Sequence, residues 1–220
     1  MTGIPPHPEK GRLGALILAA GASERLGMPK QLLVGDDGVP LVSSVVHAAQ
    51  AAGFDPVMVV VGAHAEEVTH ALINDAAVVF LVANRGWSEG MGSSIRCGIA
   101  SMSTHGLMTD VSGVLIATCD MPTANRKHFA SLRSAALVNG SVSRVASEYT
   151  TRGGNVLTRG IPAIFPRSDW PELLTLHGER GAKSLCEAPE TRTVPLLDGS
   201  FDLDTPDDVS AWRASLRHDG

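Results

Sequence analysis

Of the 220 residues, 44% are hydrophobic and 19% are charged, a composition typical of a globular chain and not of a disordered one. The length suffices for one sizeable α/β domain and is short for two. A net charge of −5 and an aromatic content of 4% argue against a large nucleic-acid-binding surface. We therefore expect a small-molecule enzyme that binds no nucleic acid.

The cysteines and the N-terminus exclude further classes. Cys97, Cys119 and Cys186 lie far apart without CxxC spacing, which predicts neither a disulfide framework nor a zinc site. Cys119 follows an apolar run and is interpreted as a small buried side chain, with a catalytic Cys/His pair as the alternative. Residues 1–12 are rich in Pro and Gly, which predicts a flexible tail before a single domain over residues 13–220. No stretch has the length of a transmembrane helix, so we expect a cytoplasmic protein that makes no membrane contact.

Short apolar runs alternate with Ala-rich helical stretches. The runs are apolar on both faces, as expected for parallel strands covered by helices on each side. They are Ala15–Ala19, Val57–Val61, Val78–Val82 and Val114–Ala117. The predicted helices are Leu41–Ala52, Ala65–Asn74, Met91–Met102 and Arg126–Asn139. This alternation predicts a three-layer α/β fold with a Rossmann-like, doubly wound and mostly parallel sheet.

The pattern is looser after residue 140. Val142–Ala146 and Ile161–Phe165 are predicted strands, and Thr150–Gly160, with three glycines, is a predicted loop or lid. A terminal helix is expected over Val209–Leu216. Short helical pieces are expected around three leucines, Leu173, Leu176 and Leu185.

The loop that leaves the first apolar run combines small and cationic residues. The small residues at 19–22 let backbone N–H groups approach a triphosphate, and Gly21 is free to adopt a positive φ. Arg25 and Lys30 would supply cations for phosphoryl oxygens. The loop contains neither GxGxxG nor GxxxxGK[ST], so it predicts neither a dinucleotide fold nor a P-loop. A surface turn with two solvated cations is the alternative for this loop taken by itself.

The segment LILAAGASERLGMPKQLL closely resembles the LAAGxSxR[ML]GxxKxLL signature of the MobA-like nucleotidyltransferases, and within them the molybdenum cofactor cytidylyltransferases. Asn84–Gly98, Gly160–Phe165 and Gly178–Lys183 resemble further segments of this family, in the same order. The resemblance covers about residues 13–217 and implies the fold of the nucleotide-diphospho-sugar transferases. Glu179 departs from it, because the family usually has Asp at this position.

The resemblance implies a nucleotide site around the first loop. Arg25 and Lys30 match the cations that stabilise the transition state in the family, and they are the predicted catalytic residues. Nucleotide binding is predicted for seven residues, Leu18, Ala19, Ala20, Gly21, Gly90, Ser94 and Thr118.

Acidic residues after the fourth apolar run and near the C-terminus are candidate metal ligands. Asp120 would lie at the carboxyl end of a parallel strand, where side chains point into the ligand crevice. Mg²⁺ prefers one or two protein carboxylates, and the resemblance assigns it to Asp120; a helix N-cap is the alternative. In a predicted short strand at 201–204, Asp202 and Asp204 share one face. Residues 202–208 resemble the D[IL]DTPED motif of the family, and by this resemblance we expect Asp204 to be the second ligand, with Asp202 as the alternative.

Two other groups of residues receive less specific interpretations. Asp207 and Asp208 follow Pro206 and are interpreted as acidic residues of the first helical turn, which favour the helix dipole. The eight histidines have no zinc-site spacing and are expected in surface or loop positions.

Together these features predict transfer of a nucleoside monophosphate from a nucleoside triphosphate to a phosphate-bearing acceptor, with Mg²⁺ as cofactor and pyrophosphate as product. By resemblance, Ala20 favours CTP over GTP, and the acceptor is the pterin of the molybdenum cofactor. Three alternatives stay open. The acceptor could be a sugar or alditol phosphate, and the chain could be a nicotinamide-dependent oxidoreductase resembling nicotine blue oxidoreductase. It could also be a cofactor chaperone that hands its product to a molybdenum hydroxylase.

Overall fold

The computed structural model describes residues 11–150, 156–179, 181–196 and 202–216. Within these ranges the nine strands are β1 Leu13–Ala19, β2 Val57–Val61, β3 Phe80–Ala83, β4 Gly113–Thr118, β5 Leu137–Val138, β6 Ser141–Val142, β7 Val145–Thr150, β8 Leu157–Pro166 and β9 Arg192–Pro195. The seven α-helices of the same ranges are α1 Leu41–Ala51, α2 Ala65–Asn74, α3 Met91–Thr104, α4 Arg126–Ala136, α5 Trp170–Leu173, α6 Lys183–Glu187 and α7 Pro206–Leu216.

The main sheet is mostly parallel and has the order β3–β2–β1–β4–β8–β7–β9. β1 to β4 pair in parallel, β8 lies antiparallel between β4 and β7, and β9 pairs in parallel with β7. This arrangement confirms the predicted α/β fold. The chain runs outward from β1 to β2 and β3, and then returns to β4 on the other side of β1. The carboxyl ends of β1 and β4 therefore flank a crevice at the point where the strand order reverses.

Side chains of β1 alternate between two apolar layers, as the period of a strand requires. Ala15 and Ile17 face the layer that contains α1, α2, α4 and α7, and Leu16 and Leu18 face the layer that contains α3, α5 and α6. The helices thus cover both faces of the sheet. This explains why β1 and β2 are apolar along their whole length and buried at every position.

Most predicted elements are confirmed with small shifts of their ends, and β2 and α2 have the predicted bounds. The prediction of one helix up to Asn139 is wrong. Helix α4 ends at Ala136 because β5 and β6 pair across Asn139 and Gly140, both of which have positive φ. The predicted strand Val142–Ala146 is wrong for the same reason, since its residues are divided between β6 and β7.

Three predictions in the second half of the chain need correction. β7 and β8 pair up to Thr150 and Leu157, so the predicted loop or lid is too long; residues 151–155 lie outside the described part. Residues 202–204 form no strand, and residue 201 lies outside the description. Leu176 follows α5 but is not helical.

The two ends of the chain are described only in part. Of the predicted N-terminal tail, residues 1–10 lie outside the described ranges, and Arg12 forms ion pairs with Asp110 at 2.7 Å and Asp55 at 3.0 Å. In the described part of the chain, no helix is both long and apolar enough to cross a bilayer.

Candidate active site

A cavity of about 530 Å³ lies at the carboxyl ends of β1 and β4. Its wall contains both predicted catalytic residues, Arg25 and Lys30. It also contains most of the predicted ligand-binding residues, namely Leu18, Ala20, Gly21, Gly90, Ser94, Thr118, Asp120 and Asp204. Ala19 and Asp202 are described but do not line the cavity. Sequence positions as distant as 18 and 204 therefore meet at one place.

Four charged side chains form an ion-pair cluster in this cavity. The Lys30 ammonium donates to Asp120 Oδ2 at 2.6 Å and to Asp204 Oδ1 at 3.1 Å. The Arg25 guanidinium donates to the other oxygen of Asp204, Oδ2, at 2.8 Å. The Lys30 and Asp120 side chains are only 18% and 16% exposed, whereas Arg25 is 73% exposed. The cluster thus has a partly buried centre and a cation at its solvent side.

The ion pairs shift the pKa values of their members. Burial alone would lower the pKa of Lys30, but the charges of Asp120 and Asp204 outweigh it, and the pKa lies well above its usual range. Burial would raise the pKa of Asp204, but Lys30 and Arg25 outweigh it, so that pKa is lowered. Both groups are therefore charged at neutral pH.

Asp204 is held in place by the backbone of the segment that follows β4 and by a residue of its own helix. The Leu203 N–H donates to the Asp120 carbonyl at 3.0 Å, and the Leu203 side chain is fully buried. Asp208 Oδ2 accepts from the N–H groups of Asp204 at 3.2 Å and Thr205 at 2.8 Å. Asp208 lies in the first turn of α7, as the sequence predicts, and it is in addition a buried acceptor that fixes the turn before this helix.

Asp120 is not the N-cap of the following helix. That position belongs to Asn125, whose side chain accepts from the N–H groups of Lys127 at 3.0 Å and His128 at 3.2 Å. Cys119 is 2% exposed, and its burial raises the pKa of the thiol to about 12. This confirms the interpretation of Cys119 as a buried side chain and disfavours a thiolate nucleophile.

The first loop turns at a different residue from the one anticipated. Gly21 does not use the left-handed region; Ser23 does, with a φ of 56°, and Gly27 does at 73°. The Ser23 hydroxyl accepts from the Lys30 N–H at 3.2 Å, which closes the loop onto the turn that carries Lys30. Short polar side chains tolerate this conformation because they can bond locally.

The opposite wall of the cavity is built by the segment that leads into α3. Asn84, which is 7% exposed, donates to Ser93 Oγ at 2.8 Å and to Ser94 Oγ at 3.1 Å. Gly90 has a φ of 113°, and a Cβ atom there would lie 2.7 Å from the backbone of Gly178. Only glycine fits this contact. This close contact between Gly90 and Gly178 brings the start of α3 to the cavity, where Ser94 lies among further lining residues, namely Trp87, Ser88, Met91 and Glu179.

Sequence reasoning missed several residues that shape the site. Three of them bond directly to predicted site residues: Gln31 to Gly21, Asn84 to Ser94 and Asp208 to Asp204. The fourth, His64, bonds to Ala22, which follows Gly21 in the loop. The available signal for Gln31 and Asn84 was a polar residue directly beside an apolar run, Leu32–Leu33 for Gln31 and residues 80–83 for Asn84. No spacing rule would have found His64, because its contact joins two loops that are 42 positions apart.

The described residues contain no cluster of three or more His, Cys, Asp or Glu side chains that could hold a metal ion by themselves. Two carboxylates, Asp120 and Asp204, nevertheless meet on one cation, the Lys30 ammonium. This donor set fits a cation that takes its remaining ligands from substrate and water, as Mg²⁺ does.

A cavity at the strand-order switch of a mostly parallel sheet, with fixed cations beside paired carboxylates, is the arrangement of a nucleotide-binding α/β enzyme. The family model of the MobA-like NTP transferase domain matches residues 15–194, and the chain belongs to this family.

The proteins to which the chain is similar include an oxidoreductase and a nucleotidyl transferase. The chain is 29% identical over 205 residues to nicotine blue oxidoreductase from Paenarthrobacter nicotinovorans, an alignment that covers 92% of this chain and 94% of that protein. The crystal structure of Rv0371c from Mycobacterium tuberculosis H37Rv matches with a TM-score of 0.71 and 25% identity, covering 92% of this chain and 97% of that one. Rv0371c has also been solved in complex with manganese, a structure that matches with a TM-score of 0.67 and 24% identity over 93% and 99% of the two chains. A nucleotidyl transferase from Methanothermobacter thermautotrophicus shares the fold, with a TM-score of 0.73 and 20% identity over 94% and 99% of the two chains.

Proposed function

We propose that the chain transfers a nucleoside monophosphate from a nucleoside triphosphate to a phosphate-bearing acceptor. The observation that carries this proposal is the convergence of Arg25, Lys30, Asp120 and Asp204 in one cavity. In the reaction, an acceptor phosphate oxygen forms a bond to the α-phosphorus, and the bond between that phosphorus and the bridging oxygen of pyrophosphate breaks. The attacking oxygen is already anionic, so catalysis depends on positioning and charge and needs no strong base.

Asp120 and Asp204 are the proposed ligands of Mg²⁺. Both carboxylates already face a cation, and each has an oxygen within hydrogen-bond distance of Lys30 Nζ. Asp202 is the weaker candidate because it does not line the cavity. A bound Mg²⁺ would supply neutralising charge beside the α-phosphate. The manganese complex of Rv0371c supports a divalent cation in this fold.

Lys30 and Arg25 are the proposed catalytic cations. In the structure their charges are directed at Asp120 and Asp204. With a triphosphate in the cavity, Asp120 and Asp204 would hold the metal ion, and the side chains of Lys30 and Arg25 would be free to turn to the phosphate oxygens. There they stabilise the negative charge that develops on the departing pyrophosphate.

CTP and the molybdenum cofactor are the proposed substrates. Ala20 lines the cavity, and its methyl group occupies space that a glycine at this position would leave to the base. This supports the smaller cytosine base, in keeping with the resemblance to the cytidylyltransferases. The pterin acceptor rests on that resemblance, and a sugar or alditol phosphate would use the same charged residues.

Pyrophosphate release tests the reaction and its substrates together. We expect release with CTP, Mg²⁺ and the molybdenum cofactor, and little with GTP, ATP or UTP. Asp120→Asn should abolish most of this release and weaken Mn²⁺ binding in the presence of CTP, because it removes a metal ligand. Asp207→Asn is the matched control, since Asp207 is exposed in the first turn of α7 and outside the cavity wall. Identical metal titrations for Asp120→Asn and wild type would remove Asp120 from the site.

The second candidate is a nicotinamide-dependent oxidoreductase, which the similarity to nicotine blue oxidoreductase favours. The same preparation should therefore be assayed for NADPH binding and oxidation. Pyrophosphate release without NADPH binding supports the transferase. NADPH binding in a chain that releases no pyrophosphate with any nucleotide and acceptor supports the oxidoreductase.

A further inference from the structure

The carbonyl oxygens of four consecutive residues, 19 to 22, are all engaged by donors from other segments. Gln31 Nε2 donates to the carbonyls of Ala19 at 3.3 Å and Gly21 at 2.8 Å. The Ala63 N–H donates to the Ala20 carbonyl at 3.1 Å. His64 Nε2 lies 3.1 Å from the Ala22 carbonyl, so this ring nitrogen carries the hydrogen.

The N–H groups that follow three of these carbonyls, those of Gly21, Ala22 and Ser23, have no such partners among the described residues. In a trans peptide, the N–H points away from the carbonyl of the same unit, so held carbonyls at 20, 21 and 22 fix the directions of the next three N–H groups. Within the described part of the chain, the N–H groups of Gly21, Ala22 and Ser23 have no hydrogen-bond acceptor. All three residues line the cavity. The loop therefore offers donors where a phosphate would bind and keeps its acceptors elsewhere.

We propose that Gln31 and His64 are positioning residues that hold this loop in its phosphate-binding form. The inference rests on the proposed function, because it concerns the triphosphate of the same site. Without these two donors, the peptide units at 21 and 22 are free to rotate and direct carbonyl oxygens at the phosphates. Because a carbonyl oxygen carries a partial negative charge, it would repel the anionic phosphate oxygens, and the loop would bind a triphosphate weakly.

Gln31 is suited to this role by burial and by chemistry. It is 1% exposed, and its neighbour in sequence is Lys30. Its Oε1 atom faces the Ser23 hydroxyl at 3.5 Å, which directs Nε2 towards the two carbonyls. A glutamate of the same shape would place an anion against both carbonyls, and a methionine would leave them without a donor.

His64 reaches the loop from the turn after β2. This turn is pressed against the loop, because a Cβ atom on Gly62 would lie only 2.5 Å from the Ala20 carbonyl oxygen. His64 is half-buried and outside the cavity wall. It therefore does not touch substrate in the proposed arrangement, and it acts only through the Ala22 carbonyl.

Binding of inorganic tripolyphosphate and of CTP tests the proposal. We expect Gln31→Glu and Gln31→Met to weaken both by at least about tenfold, the size expected when a buried acceptor loses its donor. His64→Ala should weaken both in the same direction, and His64→Gln, which keeps a side-chain N–H donor, should restore much of the loss. With CTP as substrate, the change should lie mainly in KM. The backbone amide resonances of Gly21 and Ala22 should shift with tripolyphosphate in the wild type and much less in Gln31→Glu.

Two controls separate positioning from general damage. Gln50→Met removes another glutamine that donates to a backbone carbonyl, that of Val78 at 2.8 Å, far from the cavity. His70→Ala removes an exposed histidine on α2. Both should bind tripolyphosphate like the wild type. If Gln31→Glu does not fold, the comparison of His64→Ala with His64→Gln still tests whether a side-chain donor is needed for tripolyphosphate binding.

The outcomes distinguish the positioning role of Gln31 and His64 from the proposed transferase function on which it rests. If the Gln31 and His64 variants bind tripolyphosphate and CTP as tightly as the wild type does, the positioning role is overturned and the transferase proposal still stands. Equal losses in His64→Ala and His64→Gln would also overturn the role of His64 as a donor. If the wild type binds neither tripolyphosphate nor CTP, both proposals are overturned.

Discussion

At the residue scale, the centre of the site is an ammonium group held between two carboxylates. Lys30 is too buried to be charged without compensation, and Asp120 and Asp204 provide it. The same geometry prepares both carboxylates to accept another cation. In the proposed reaction, this one lysine neutralises the two carboxylates before substrate binds and turns to the phosphates afterwards.

Replacement of Lys30 should separate catalysis from folding. We expect Lys30→Ala to lower turnover about 10²–10³-fold, the usual cost of removing one charge-stabilising donor. The variant should stay folded, because Arg25 still pairs with Asp204. Steady-state kinetics and a thermal melt measure the two effects. Lys127→Ala, an exposed residue of α4, is the control, and unchanged turnover in a folded Lys30→Ala protein would contradict the catalytic role.

At the scale of elements, the position of α3 depends on close contact with β1. A Cβ atom on Gly98 would lie 2.3 Å from Cδ1 of Leu16, a side chain that is fully buried. Glycine lets the helix approach the strand, and the approach sets the depth at which Met91 and Ser94 enter the cavity. Packing in this layer therefore shapes the nucleotide site.

Gly98→Ala should destabilise the fold and weaken nucleotide binding together. Overpacking of this kind costs about 1–3 kcal/mol, because Leu16 cannot move without disturbing its neighbours. Urea unfolding measures the free energy, and the KM for the nucleotide should rise as α3 is displaced. Gly106→Ala is the matched control: its Cβ would meet nothing within 4 Å, so its effect should stay within about 0.5 kcal/mol. Equal free energies of unfolding for Gly98→Ala and Gly106→Ala would show that the contact between Gly98 and Leu16 does not require glycine.

At the scale of the whole molecule, the ion-pair cluster joins three distant parts of the chain. Lys30 follows β1, Asp120 follows β4, and Asp204 precedes the terminal helix. The cluster thus links the parallel half of the sheet to the C-terminal segment, which crosses back to reach it. Its charge state should influence the stability of the entire fold.

The contribution of Asp204 should be lost in acid. Its pKa is lowered in the folded chain, so the ion pair stabilises the fold above the unfolded pKa of about 3.9 and loses this effect as pH falls through the lower folded value. The raised pKa of Lys30 keeps its own contribution in place below about pH 10. We expect the free energy of unfolding of the wild type to be about 1–3 kcal/mol higher than that of Lys30→Met, and this difference should be constant from pH 5 to 9.

Below about pH 4, this difference between wild type and Lys30→Met should shrink, because the unfolded chain then binds a proton at Asp204 that the folded wild type does not, until Asp204 is protonated in both states. Urea unfolding at several pH values between 3 and 9 measures the difference, and Lys127→Met should show no comparable change. A gap of the same size at pH 3 and pH 7 would exclude the cluster as a source of acid sensitivity.

The parallel half of the fold and the charged site residues could be predicted from the sequence, because both depend on local signals. Apolar runs such as Val57–Val61 specify buried strands by themselves, and Gly21, Arg25 and Lys30 lie together in one loop. The errors occurred where pairing overrides propensity. The end of α4 is set by the β5–β6 hairpin, and Asp204 is held by a bond from Leu203 to Asp120 and not by strand alternation.

By itself, the sequence determined the alternation of strands and helices, the loop composition and the presence of acidic residues after β4 and before α7. Only the tertiary structure decided that Asp204 lines the cavity and Asp202 does not, and that Gln31 and His64 hold the loop carbonyls. The physical reason is range. Periodicity and loop chemistry act between near neighbours in the chain, whereas a hydrogen bond between residues 22 and 64 exists only after the sheet has brought two loops together.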